Sequence, residues 1–288
     1  MNAAAALSRR APVLTEDPAL SVDAFRRIAA IVRREAGIHL PENKLSLVFS
    51  RLVRRVAETG AGSFERYGDL VSSPGGSEEL RRMVEALTTN YTFFFREPHH
   101  FGHLETEVLP ALAERARAGG RVRIWSAGCS TGQETYSAAI SLLRAVPDAP
   151  ALDIRILATD IDRNVLRAAS TGRYDEAALA DVPAADRERF FQPSPGGLLE
   201  ARGELRRLVR FRELNLLAPW PMRGLFDVVF FRNVAIYFDQ GVREAIWLRM
   251  ADQIHPDGWL YAGHSERVTG SAAERLAHVA TTTYRRLA

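Results

Sequence analysis

The chain has 288 residues, 47% of them apolar, and a formal net charge of +3. That length and apolar content suffice for a full core and for two domains. The small net charge makes no case for nucleic acid. A lone cysteine, Cys129, excludes an intrachain disulfide and suits a reducing compartment. No window approaches the ~18 uninterrupted apolar residues of a membrane span, and the first residues lack the apolar core of a secretory signal. The expectation is a soluble, cytoplasmic protein.

Residues 1–20 read as a mobile tail, and 21–89 read as helical throughout. "FRRIAAIVRREAG" has apolar residues at spacings of three and four and stops at Gly37. "PENKLSLVFSRLVRRVAETG" opens on Pro41 and closes at Gly60, burying Leu45, Val48, Phe49, Leu52 and Val56. "SFERYGDLVSS" and "SEELRRMVEALTT" give two shorter helices. The stretch from Arg26 to Arg55 carries eight cations against Glu35 and Glu42, and such a block attracts an acidic partner. Lys44, Arg51 and Arg55 recur at helical spacing with Arg54 beside them, either as a solvated face or as a surface for an acidic helix. Lys44 is the only lysine in the chain, so the use of arginine here carries little meaning.

Residues 90–118 read as a linker and a first helix of the next domain. From 119 to 288 strand and helix candidates alternate: "RVRIWSA", "TYSAAISLLRAV", "DIRILATDI", "RNVLRAAS", "RLVRFREL", "FDVVFFRN", "REAIWLRMADQI" and "GWLYAGH". That rhythm predicts an α/β domain, a parallel sheet wound with helices on both faces. At about 175–212 glycine-bearing turns break the rhythm, which points to a small antiparallel insertion more than to another helix.

The strand "RVRIWSA" runs through "GCSTGQETYS" into a helix, the opening unit of a nucleotide-type fold. Gly128 and Gly132 lack both the lysine of a phosphate-binding loop and the third glycine of a dinucleotide turn. Glu134 near the helix start is unfavourable beside phosphate and favourable beside a cation. Asp160, ending the next strand, stands where such folds bind ribose hydroxyls. A ligand with a ribose and a positive centre, such as S-adenosyl-L-methionine (AdoMet), fits; a generic Rossmann-like site stays open on these residues alone.

Seven blocks, "NYTFFFREPHHF" (90–101), "WSAGCSTGQETYS" (125–137), "ATDIDRNVLRAA" (158–169), "GRY" (172–174), "NLL" (215–217), "FDVVFFRNVAIYFD" (226–239) and "AGHSE" (262–266), resemble in order and spacing the chemotaxis receptor glutamate methyltransferases, the CheR family. The resemblance covers the chain from about residue 21. It implies an all-α N-terminal domain before a Rossmann-like AdoMet-dependent methyltransferase domain carrying a small antiparallel β-subdomain. The implied reaction is methyl esterification of glutamate side chains on chemoreceptors, leaving S-adenosyl-L-homocysteine. By the same resemblance Asn90, Thr92, Arg96, Glu134, Asp160, Asn215, Leu216, Arg232 and Asn233 contact the cofactor. The resemblance also sets Arg96 and Tyr237 at the methyl-transfer centre, and with a glutamate-rich receptor helix as substrate, Arg51, Arg54 and Arg55 become candidates to steer it, a solvated face being the alternative.

A glutamate with a pKa of about 4.3 is already the nucleophile at neutral pH, so the chemistry asks for positioning and not for a general base. Arg96, after Phe93-Phe94-Phe95, is the candidate cation to orient it; an interdomain salt bridge is the plainer role. Tyr237, four residues on from Asn233, would share a side of a helical turn, or be a core tyrosine. His99, His100 and His103 suggest a metal, but the sequence offers no carboxylate or thiolate at ligand spacing, and none is expected. Gln133 and Thr135 depart from the family's Glu-Glu-Pro-Tyr, and Ala235 replaces a more usual methionine. A same-family enzyme serving another signalling array and a non-catalytic AdoMet-binding module are the alternatives. "RNVAIYF" stands where a nucleic-acid amino-methyltransferase carries (Asp/Asn)-Pro-Pro-aromatic. The expected partner is the receptor bundle, with no nucleic acid, no membrane insertion, and a monomeric chain.

Overall fold

The structure is a computed structural model that describes residues 19–288, so nearly all of the expected 1–20 tail lies outside the described residues. It divides into two compact units at Thr88/Thr89.

The first unit is built from four helices: α1 (Val22–Ala36), α2 (Leu45–Thr59), α3 (Phe64–Ser72) and α4 (Ser77–Leu87). Ser21 caps α1 by accepting from the Ala24 N–H, and Gly37 closes it at φ 73°, the left-handed stop that glycine takes without strain. α2 starts later than the proline suggested. Pro41 is extended and leads into a single 3-10 turn at 42–44, and the α-helix begins at Leu45. Val48, Leu52 and Val56, spaced by four, are fully buried, while Leu45 and Phe49 are only partly covered.

The second unit opens with α5 (Pro98–His103), a π-helical turn at 104–108 and α6 (Leu109–Arg117). The turn has a local cause. Pro110 has no N–H to offer the Thr106 carbonyl and its ring would crowd it, and the Leu109 N–H reaches back five residues to Leu104. There follow β1 (Val122–Ala127), α7 (Gln133–Ala145), β2 (Ile154–Asp160), α8 (Arg163–Thr171), β3 (Arg173–Tyr174), α9 (Ala184–Phe190), β4 (Phe191–Ser194), β5 (Leu198–Ala201), α10 (Gly203–Leu208), β6 (Val209–Glu213), β7 (Phe226–Phe231), α11 (Gln240–Gln253), β8 (Ile254–Ala262), β9 (Leu276–Ala280) and β10 (Thr283–Arg286).

The main sheet runs β6-β2-β1-β7-β8-β10-β9. Its first five strands are parallel, and β10 is antiparallel to both neighbours. Successive side chains divide between two cores. Ile124, Val228 and Phe230 join the cluster that contains Phe101, Ile140 and Leu143 of α5 and α7. Trp125, Val229 and Phe231 join the cluster of Trp247 and Met250 of α11. Both faces being covered, β7 reads as one apolar run, "FDVVFF". Its lone acid, Asp227, is 3% exposed and accepts from the Arg123 N–H and the Arg115 guanidinium.

The insertion is narrower and more mixed than 175–212. Its three-stranded antiparallel sheet, β3-β5-β4, spans 173–201 and is accompanied by two short helices, α9 and α10. Residues 209–212 belong to the main sheet, where Val209 pairs with Ile156 and Phe211 with Ala158. The glycine turn at 196–197 was legible, but the partner that claimed "LVRFRE" was not.

The carboxyl ends of β1, β2 and β7 converge on the β1–α7 loop. Gly128 and Gly132 sit there at φ 79° and 93°. A Cβ on Gly128 would meet Val234 Cγ2 at 2.3 Å, and one on Gly132 would meet Ala169 Cβ at 2.9 Å and Tyr174 Oη at 3.0 Å. Gly132→Ala therefore combines a left-handed backbone with a side-chain clash, and is expected to destabilise the protein by about 1–3 kcal/mol. Thermal unfolding measures this, and an unaltered midpoint would contradict the packing described.

Candidate functional site

Asp160 ends β2, where the strand delivers its side chain to the β1–α7 loop. Its Oδ2 accepts from the Ser130 N–H at 2.8 Å and its Oδ1 from the Asp162 N–H at 3.0 Å. Burial pushes this carboxyl above the usual aspartate range, and the backbone N–H groups offset that in part. Asp162 caps α8 through the Asn164 N–H and accepts from Asn90 Nδ2 at 2.9 Å. The Asn90 carbonyl accepts from Ser130 Oγ at 3.0 Å. Asn90 is thereby tied to the loop that holds Asp160. The Leu214 N–H donates to the Asp160 carbonyl at 2.9 Å, so Asn215 and Leu216, just past the end of β6, follow on from the residue that meets the end of β2. Asn215 Oδ1 accepts from the Leu217 N–H at 2.9 Å, shaping that loop, and Leu216 is buried.

Glu134, in the first turn of α7, is 13% exposed, and Arg232, just past β7, is 1% exposed. Arg232 Nη1 lies 3.2 Å from Glu134 Oε2 and Nη2 lies 3.4 Å from Glu97 Oε2. Nη2 also donates to the Arg96 carbonyl, and the guanidinium stands over the Phe101 ring at 5.5 Å. Ser126 Oγ donates to Glu134 Oε1 at 2.7 Å, and Thr135 Oγ1 donates to Ser126 Oγ at 3.2 Å. The departure at 135 thus has a consequence: where the family's proline would stand, a buried hydroxyl supports the serine that holds Glu134. Burial pushes the Glu134 carboxyl up, Arg232 and Ser126 pull it back only in part, and Glu97 and Glu266 add to the upward push.

Glu97 and Glu266 join this cluster of buried charges and bonds, and the sequence pattern does not single them out. Burial opposes ionisation of Glu97, yet Arg232 and the His264 backbone and ring outweigh it and hold its carboxyl below the glutamate range. Glu266 Oε2 accepts from the Asn233 and Gly263 N–H groups, both at 2.7 Å, and Oε1 from the Ile236 N–H at 3.3 Å. Burial raises its pKa, with those backbone bonds opposing. The available signals were an acid directly after Arg96 and the final position of "AGHSE".

Tyr237 does not share a helical face with Asn233. Asn233 is left-handed at φ 59°, which breaks any helix there, and a 3-10 turn covers Ala235–Tyr237. The two are joined differently: Glu266 grips the backbone of Asn233 and Ile236, and Tyr237 Oη donates to the Thr89 carbonyl at 3.2 Å. Asn233 Nδ2 is buried without a hydrogen-bond partner. Arg96 lies over the rings of Tyr91 and Phe93, 5.8 and 5.7 Å from their centroids, and donates to the Tyr91 carbonyl at 3.2 Å. Thr92 is half-buried in the same segment.

The three arginines of α2 lie in the first unit and are largely engaged there. Arg51 donates to the Leu87 and Thr88 carbonyls at the end of α4. Arg55 donates to Glu79 through Nε and Nη2 and to Glu58 through Nη1. Arg54, 86% exposed, pairs with Glu58 at 2.7 Å. The face is therefore less positive than its arginine count implied: Glu58 stands at helical spacing on α2 itself, and Glu79 comes from α4.

The histidines require a correction. A carboxylate does stand near them: ligand atoms of Glu97, His99 and His100 lie within 4.8 Å of one another. Glu97 is committed to Arg232 and His264. His100 is wholly buried, with Nε2 2.8 Å from Thr282 Oγ1, and burial beside Arg232 lowers its pKa to about 3. His103 turns away to Tyr261 Oη at 2.9 Å.

The profile for the CheR methyltransferase, SAM binding domain matches residues 90–285, and that for the CheR methyltransferase, all-alpha domain matches residues 23–88. The chain belongs to the CheR methyltransferase family. It is 47% identical over 263 residues to a probable chemotaxis protein methyltransferase of Rhizobium etli, covering 88% of this chain and 96% of that protein. It is 42% identical over 258 residues to the chemotaxis protein methyltransferase of Escherichia coli K12 (88% and 87%), and 41% over 266 residues to that of Salmonella typhimurium (91% and 89%). The site suits AdoMet by its charge. Glu97 and Glu266 both act on Glu134, beside the buried cation Arg232, and such a cluster favours a cationic ligand.

The raised Glu134 carboxyl fixes the sign of a pH effect. At acid pH the free site holds a proton there, and a ligand ammonium favours the carboxylate. S-adenosyl-L-homocysteine binding is expected to release protons and to weaken as pH falls through that range. Calorimetry in buffers of different ionisation enthalpy tests this. Glu134→Gln should remove the Glu134 part of the effect; no proton release in the parent protein contradicts it.

Proposed function

We propose that this AdoMet-dependent methyltransferase esterifies glutamate side chains on the cytoplasmic helical bundle of chemoreceptors, acting in the cytoplasm as a monomer. The observation that carries the reading is Arg96. Among the described residues no carboxylate lies within ion-pair distance of its guanidinium, although it stands in the segment that follows Asn90 and precedes Glu97. An arginine splinted by two rings and lacking an acid partner is suited to receive a carboxylate. The relatives' names, chemotaxis protein methyltransferase, support the receptor as its source. Among the described residues no helix is long and apolar enough to cross a membrane.

In this reading Asp160 accepts from the ribose hydroxyls and Glu134 meets the ammonium group. Leu216 offers an apolar surface to the adenine, with Asn215 beside it. Asn90, Thr92, Arg232 and Asn233 complete the cofactor side. AdoMet supplies an electrophilic methyl group on its sulfonium. The acceptor glutamate is ionised at neutral pH and needs no base; Arg96 orients it, and Tyr237 walls the transfer centre and excludes water. Labelled AdoMet incubated with receptor-containing membranes should give methyl ester on receptor that is released by mild alkali. Alkali-stable label, or label on nucleic acid, would overturn the assignment.

The α2 face is assigned a steering role for the acidic receptor helix. Arg54, the most exposed of the three arginines, is its best probe, with Arg51 and Arg55 also anchoring their own unit. Arg54→Glu is expected to raise the KM for receptor about threefold to tenfold at low salt, an effect screened by added salt, without changing S-adenosyl-L-homocysteine affinity. An unchanged KM removes the steering role.

A further inference from the structure

Tyr91 is 74% exposed, the most open large apolar side chain among the described residues, and Ile236 is 47% exposed. Neither exposure serves the fold, and the two segments are adjacent. The Tyr237 hydroxyl donates to the Thr89 carbonyl at 3.2 Å, which lays the 235–237 turn against the chain leading to Tyr91. The Tyr91 ring meets Phe93 edge-on, centroids 5.9 Å apart at 60°. Arg96 lies over both rings at 5.8 and 5.7 Å and returns a hydrogen bond to the Tyr91 carbonyl. These two neighbouring segments therefore present an open ring, a half-open aliphatic side chain and, stacked on the ring, a cation without an acid partner.

We infer that Tyr91 and Ile236 form the landing surface for the target helix, and that Tyr91 also splints Arg96. This deepens the proposed function and rests on it. The occupant is one kind of element, an amphipathic helix whose acceptor glutamate is flanked by small or apolar residues. The carboxylate goes to Arg96, and the flanking residues cover Tyr91 and Ile236. Charge complementarity selects an acid-bearing helix, because an uncharged one would bury the Arg96 guanidinium without a partner. The exposed ring supplies the apolar area, since an aromatic of this kind buries roughly 150–250 Å² when covered. Splinting adds pre-organisation: a guanidinium held on two rings gives up less freedom when it receives a carboxylate.

The test is steady-state methylation of receptor with S-adenosyl-L-homocysteine affinity measured in parallel. Tyr91→Ala is expected to raise the KM for receptor about tenfold and to lower kcat, because both landing surface and splint are lost. Tyr91→Phe should retain near-parental kinetics, keeping the ring. Ile236→Ser should raise KM alone, about threefold to tenfold. Homocysteine-product affinity should stay within twofold for all three. If the parent protein forms receptor methyl ester and both Tyr91→Ala and Ile236→Ser keep its KM, the landing surface is wrong while the proposed function stands. If the parent protein forms no ester on receptor, the proposed function fails first. Should Tyr91→Ala lose its fold, Ile236→Ser decides.

Discussion

The site depends on one buried cation. Arg232 emerges from the end of β7 into a region that is almost closed to water, and it bridges Glu134 of α7, Glu97 at the head of α5 and the Arg96 carbonyl. Two separated segments, the start of α7 and residues 96–97, are thereby fixed to one guanidinium at the end of β7. Its planar fork suits the task, since a lysine could not hold several acceptors at set angles. Burying charges is costly unless they are paired and hydrogen-bonded, and here the pairing is unequal, with more acid than base. That imbalance makes a cationic cofactor the natural complement of the protein's own charges.

A second buried acid performs a different task. Glu266 neutralises no cation in its grip; it gathers backbone N–H groups from Asn233, Ile236 and Gly263. A Cβ on Gly263 would lie 2.4 Å from Asn233 Nδ2 and 2.7 Å from Glu266 Oε2, so the glycine is required by the closeness of this grip. The strained positions Phe95, Glu97 and Asn233, at φ 53°, 58° and 59°, fall on the two segments proposed to frame the methyl-transfer centre. Such backbone persists only where neighbours over-determine it, and Arg232 and Glu266 are those neighbours.

Local chemistry made much of the fold legible. Gly37 and Gly60 end their helices, and the alternation of strands and helices after 119 gives a wound sheet. The strand end at Asp160 and the helix start at Glu134 mark the ligand edge. What misled was non-local. "RLVRFREL" read as one of the alternating elements, yet the expected insertion ran on into it to 212, because its pairing partner, β2, lies about fifty residues earlier. Tyr237 was set beside Asn233 by helical spacing, whereas a left-handed residue intervenes. Glu97 escaped notice beside the histidines because its role comes from Arg232, more than a hundred residues away.

The sequence by itself determined the class of ligand and the family: two acids at the ends of consecutive elements, a glycine turn without lysine, and seven ordered blocks are local facts that survive without coordinates. Only the tertiary structure decided how those acids are used. It paired Glu134 with Arg232, engaged Arg55 with Glu79, placed Thr135 behind Ser126 and left Arg96 without an acid partner. Periodicity says which way a side chain faces within its own element and which neighbours it meets there; which charge it meets across elements depends on packing between segments distant in the chain, and such long-range ion pairs leave no spacing signal in a single sequence.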